Sequence, residues 1–314
     1  LPGYGQGFIS MAPNGTVLVW PPVLCKTIGT NWEGGSGPNG IAENLAGSGI
    51  ALTKTTAGLV TLSGVNNTYS GATTISDGTL ALGADNGVPS GSAVTIANVA
   101  TAIFDLNGFN DTIASLSGVG SNGEVKITTG KSLTTGDGNN TTYSGLISGA
   151  GSLVKQGLGI FTLGGSNTYS GATTINAGVL SVGVLANGGA ASGIGQSTNA
   201  AANLVLSGGT LQYIGSTVTI DRNFTLTAST TSFIDVSTAN LTITGASTAT
   251  TGSLTKIGSG TLTLSGSNLY TGTTTINVGT LALGASNVLA NASALTISGG
   301  IFDIAANSDT VAAV

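Results

Sequence analysis

Residues 252–284 read GSLTKIGSGTLTLSGSNLYTGTTTINVGTLALG. Nearly the same words stand at 151–183, GSLVKQGLGIFTLGGSNTYSGATTINAGVLSVG, and at 49–83, GIALTKTTAGLVTLSGVNNTYSGATTISDGTLALG. The equivalent lysines Lys54, Lys155 and Lys256 are spaced by 101 and 101 residues, and the tyrosines Tyr69, Tyr169 and Tyr270 by 100 and 101. A fixed period marks a repeat protein. This period is too long for one supersecondary unit, so each copy holds several.

Within a copy the apolar residues alternate, as in Thr261-Leu262-Thr263-Leu264 and Thr280-Leu281-Ala282-Leu283. Period two predicts half-buried strands, and Thr, Val, Ile and Leu suit a pleated surface. Ser-Gly, Asn-Gly, Asp-Gly and Gly-Ser pairs between them are turn chemistry. No window of a dozen residues has helical spacing. Short, closely spaced strands, 6% charged residues and recurring Ser, Thr, Asn and Gly favour a solenoid over a sandwich, barrel or propeller. At about 20 to 25 residues per coil and about 4.8 Å per coil, the expectation is a rod with a stacked aliphatic core.

The phrase resembles the passenger-associated repeats of bacterial autotransporters. In order come a Gly-rich turn, Leu-x-Lys, Thr-Leu-Thr-Leu-Ser-Gly, Asn-Thr-Tyr-Ser-Gly, Thr-Thr-Ile and Gly-Thr-Leu-x-Leu-Gly; the third copy matches best. A partial echo, NNTTYSGLISG, runs from Asn139 to Gly149. The resemblance implies an all-β fold, a single-stranded right-handed parallel β-helix, exported and displayed on the cell surface. It leaves activity open, because such scaffolds carry adhesins, self-associating proteins and proteases alike.

Residues 1–46 differ from the rest. They hold five of the six prolines, both tryptophans (Trp20, Trp32), the only cysteine (Cys25) and the only methionine (Met11). Terminal coils need caps, so this segment is expected to be a cap or an intermolecular dock. Repeats are expected over 47–150, 151–251 and 252–314, the last truncated. The first repeat holds Ile103-Phe104-Asp105-Leu106 and then Asp111-Thr112-Ile113-Ala114-Ser115-Leu116. The third echoes it as Ile301-Phe302-Asp303-Ile304 and Asp309-Thr310-Val311, and reaches Val314 within that strand pattern. The expectation is a segment of a longer protein, or a last coil covered by something else. End-to-end docking would then use Trp20, Trp32 and Cys25 at one end and Val311 and Val314 at the other.

Chemistry is scarce. With no histidine, the Ser-His-Asp triad and the commonest metal ligand are excluded. Cys25 reads as a small apolar filler. Asp105 and Asp111 recur as Asp303 and Asp309, which points to turn hydrogen bonds rather than a catalytic pair. The GxGxxG match at 118–123 leads into a strand-like run, not a helix, and is set aside. Gly130-Lys131-Ser132 lacks the remaining P-loop glycine. Asp137 sits in an isolated turn without the calcium nonapeptide. The lysines read as solvated gatekeepers at coil corners. The tyrosines read as packing over turns, with glycan contact as the alternative. No catalytic residue, cofactor or metal is expected.

Net charge is −5 with seven Lys and Arg over the whole length, which argues against a nucleic-acid partner. No run of 18 apolar residues is long enough to span a membrane. The expected function is a non-enzymatic surface or extracellular protein that adheres, self-associates head to tail or laterally, or forms filaments. Its partners would be itself or host glycans. The alternatives are part of a longer passenger whose activity lies elsewhere, and a carbohydrate-active enzyme using Asp pairs.

Overall fold

The computed structural model describes residues 44–55 and 57–314, the backbone of short strands at Phe8–Met11, Val17–Trp20 and Lys26–Ile28, and the pair Gly40–Ile41. Two compact units result. One comprises 1–136 with 141–151, the other 137–140 with 152–314. Both are parallel β-solenoids, and the one short helix among the described residues is a 3₁₀ turn at Ala201–Asn203.

In the first unit one sheet stacks Gly40–Ile41, Leu59–Leu62, Thr79–Leu82, Ile103–Asp105, Glu124–Lys126 and Leu146–Ser148 in that order. A second stacks Lys26–Ile28, Leu52–Lys54, Thr73–Ile75, Ala93–Ile96 and Ser115–Ser117. The register puts Val60, Leu80, Phe104, Val125 and Ile147 in one column. All five are buried. Each apolar side chain therefore lies on its counterpart one coil away, so burial is set by nearest neighbours. Each such aliphatic contributes about 1.5 to 3 kcal/mol. The pair Phe8–Met11 and Val17–Trp20 departs from this pattern and is antiparallel.

The second unit has three faces. The first carries Ser152–Lys155, Thr173–Ile175, Leu204–Leu206 and Thr225–Leu226. The second carries Ile160–Leu163, Val179–Val182, Thr210–Tyr213, Thr231–Val236, Ser253–Ile257, Thr274–Ile276 and Leu295–Ile297. The third carries Val218–Ile220, Asn240–Ile243, Thr261–Leu264, Thr280–Leu283 and Ile301–Asp303. Ile220, Ile243, Leu264 and Leu283 form its inner column.

Two features differ from the sequence expectation. Along the first sheet of the first unit the coil step stays within the expected range, 20 residues from Leu59 to Thr79 and 24 from Thr79 to Ile103. In the second unit, Val179 pairs with Thr210, 31 residues on. The surplus is an excursion over 183–203. Moreover, the copies of the phrase do not stack on one another. The second copy's Leu-x-Lys strand lies on the first face of this unit and the third copy's on the second. Likewise Ile160–Leu163 lies on the second face and Thr261–Leu264 on the third. From the second copy to the third, 101 residues thus amount to a whole number of turns plus one face of this unit.

Candidate functional site

The lysines are not solvated. Lys54, Lys155 and Lys256 are at most 1% exposed. The reason is the strand period: in Leu-x-Lys the lysine lies two residues from an inward leucine and shares its face. Lys256 stands in an inner column between Ile234 and Ile276, and Lys155 lies beside Ile175.

Each ammonium is spent on backbone carbonyls. Lys155 Nζ donates to Gln156 O (2.7 Å), Gly157 O (2.9 Å) and, one coil on, Ala177 O (3.1 Å). Lys256 Nζ repeats this with Ile257 O (2.7 Å), Gly258 O (2.8 Å) and Val278 O (3.3 Å). Lys54 Nζ reaches Asp77 O at 2.9 Å. These next-coil carbonyls each precede a left-handed glycine, Gly78, Gly178 or Gly279, with φ of 69°, 61° and 68°. At Gly178 and Gly279 a Cβ would also lie 2.4 Å from a carbonyl oxygen of the coil below. Burial pushes all three lysine pKa values down to about 8, against the pull of Asp77, Asp137 and Asp235 respectively.

The Asn-x-Tyr step works the same way. Asn67, Asn167 and Asn268 and the following tyrosines are buried. Asn67 accepts from Leu45 N (2.7 Å) and donates to Gly87 O (2.8 Å), bridging its neighbouring coils. Tyr69 Oη and Thr73 Oγ1 lie 2.7 Å apart, and Thr73 Oγ1 lies 2.9 Å from Ser92 Oγ. Tyr270, Thr274 and Ser293 repeat the chain at 2.7 and 3.4 Å, and Tyr169 pairs with Thr173 at 2.7 Å. Burial raises the pKa of each of these tyrosines. The tyrosines pack inside rather than offering rings to a glycan.

The recurring carboxylates hold turns, as their repetition implied. Asp105 Oδ1 accepts from Asn107 N (2.8 Å), and Asp303 Oδ1 from Ala305 N (2.9 Å). Asp111 Oδ2 accepts from Val88 N (3.2 Å), and Asp309 Oδ2 from Val288 N and Leu289 N (2.9 Å each). Burial raises the Asp111 pKa to about 8, with Asp85 adding to the rise. Asp137 binds the Asn139 backbone N–H at 2.7 Å.

In the second copy the corresponding position is Arg222. The matching bonds fix the equivalence: Asn110 N donates to Asp85 Oδ1, and Asp221 N to Asn187 Oδ1. Arg222 is 1% exposed and aims every nitrogen at the excursion. Nε donates to Ala186 O (3.0 Å) and Nη1 to Ser197 Oγ (2.8 Å). Nη2 donates to Asn187 O (3.3 Å), Ala190 O (3.2 Å) and Gly195 O (2.8 Å). Where the turn presents backbone donors the chain places Asp; where the longer excursion presents carbonyls it places Arg. The signal was available in the Asp221-Arg222-Asn223 run, aligned with Asn110-Asp111-Thr112.

The sequence-selected docking residues are not brought together by any described contact. Cys25 and Trp32 lie outside the described residues. Trp20 ends a described strand of which only the backbone is placed. Val311 is half-buried and Val314 is 87% exposed. Nearby, Ile301 is 63% exposed on the edge strand of its sheet.

Comparison with known proteins agrees with this architecture. The passenger-associated-transport-repeat family model matches residues 52–82, 153–182 and 254–283. The protein named Adhesin BmaC autotransporter, from Brucella suis biovar 1 (strain 1330), is 41% identical over 228 residues, covering 69% of this chain and 7% of that protein. The chain therefore spans a small fraction of that relative's length. No solved structure matches it. The three matched stretches are those whose lysine, asparagine and tyrosine tie the coils together, and they place the protein outside the cell or on its surface. On repeats, relative and fold together, the chain belongs to the autotransporter passengers.

Proposed function

We propose that this segment serves adhesion without catalysis, as part of a larger surface passenger. One observation carries the reading: the recurring Lys, Asn, Tyr and Asp side chains are consumed inside the solenoid or by its turns. That leaves a Thr-, Ser- and Asn-rich exterior for contact, and no recurring acid or base for chemistry. The relative's name, an adhesin, supports the same reading. The test is attachment of beads coated with the purified segment to host cells. The expected result is attachment above albumin-coated beads; equal attachment contradicts it. Polysaccharide turnover by the segment would contradict the non-enzymatic part.

A second reading, end-to-end self-association, is supported by Ile301, 63% exposed on the edge strand Ile301–Asp303. In it, Trp20, Cys25 and Trp32 of the proposed 1–46 cap meet Val311 and Val314 of another copy. Sedimentation velocity tests it: mass rising with concentration in wild type but not in Ile301→Asp supports it, and a concentration-independent monomer removes it.

A further inference from the structure

We infer that the 183–203 excursion is a binding surface for neutral, hydroxyl-rich oligosaccharide; this rests on the adhesive reading above. The excursion is where the chain leaves the regular coil, and surface loops on a rigid scaffold are where recognition concentrates. It is built rather than loose. Arg222 donates from Nε, Nη1 and Nη2 into it, and Asp221 Oδ1 accepts from Gly188 N at 2.7 Å. Gly188 packs so tightly that a Cβ would sit 2.3 Å from Asn199 N, and a Cβ on Gly195 would sit 2.6 Å from Tyr169 O. A surface held this way loses little freedom on binding.

Its outer side chains define the partner. Between 183 and 203 there is no ionisable residue. Asn187, Gln196, Thr198 and Asn199 are exposed, with Ala190 and Ala200 beside them. Asn187 Oδ1 accepts from Asp221 N, Gln196 Nε2 donates to Gly189 O and Thr198 Oγ1 accepts from Asn203 Nδ2, which orients these side chains and leaves Asn187 Nδ2, Gln196 Oε1 and the Asn199 amide for a ligand. Amides and hydroxyls both donate and accept, as sugar hydroxyls do, and small neighbours let a flat ring approach. An anionic ligand would meet no cation here, since the Arg222 guanidinium is buried and committed.

The experiment is an array of neutral and of sialylated or sulfated oligosaccharides, probed with the whole segment as wild type and as Gln196→Ala/Asn199→Ala. The inference expects binding to neutral members, weakened at least tenfold in the variant with an unchanged melting temperature. It also expects a bound neutral oligosaccharide to slow amide hydrogen exchange over 183–203 in the wild type, a readout independent of the substitutions. Absence of neutral binding, preference for anionic members, or undiminished binding by the folded variant overturns it. Beads that adhere equally well with the variant overturn the loop assignment alone. Wild-type beads that fail to adhere overturn the adhesive reading, and this inference with it.

Discussion

A lysine among isoleucines is costly unless its ammonium is satisfied. Lys256 meets that condition with three carbonyls. Removing the amine leaves buried acceptors unpaired at about 1 to 3 kcal/mol for each group so exposed. Lys256→Met should therefore cost about 3 kcal/mol or more, read as a lower denaturant midpoint. The pH dependence has a definite sign. A lysine pKa lowered from 10.5 to about 8 means the unfolded chain binds more protons between those values. Stability should rise from pH 8 towards pH 10, with a smaller rise in Lys256→Met. Above pH 10 the raised tyrosine pKa values reverse the trend, since the unfolded chain then ionises first. Asp111, raised to about 8, acts oppositely at lower pH, so stability falls from about pH 4 to pH 8. Asp111→Asn should flatten that fall, and thermal melts across pH check both limbs.

At the level of elements, close approach of coils fixes small residues. A Cβ on Gly71 would lie 2.3 Å from Ile50 O, a backbone atom that cannot step aside. Gly71→Ala should lower the melting temperature more than Gly91→Ala, where a Cβ meets nothing within 4 Å. Arg222→Ala should release the excursion locally, because several buried carbonyls lose their donor. Hydrogen exchange should accelerate over 183–203 while the Thr261–Leu264 strand stays protected; uniform acceleration would contradict a local role. The sequence displayed the strands through period two and the turns through glycine, because both signals are local. The Arg222 clamp was harder to read, since its partners lie 25 to 36 residues away across a long coil.

For the whole molecule, what repeats in the sequence is scaffold: the recurring apolar, lysine, asparagine and tyrosine positions are buried. The period of 101 residues was legible, and with it the solenoid, because stacked coils demand like residues at like places. The inward lysines were legible too, in the two-residue spacing of Leu-x-Lys, but charge suggested the surface and overrode the spacing. The one-face shift between the second and third copies was not legible, because coil length varies from 19 to 31 residues in that unit. In the structure the recurring lysine, asparagine and tyrosine side chains turn to the interior, because each lies on the inward side of its coil. Acylation of the folded protein with an amine-reactive reagent, mapped by peptide mass spectrometry, tests this directly. Lys126, with a side chain 44% exposed, should be modified while Lys54, Lys155 and Lys256 stay protected until denaturant is added. Modification of those three at the rate of Lys126 in the native protein would contradict the account.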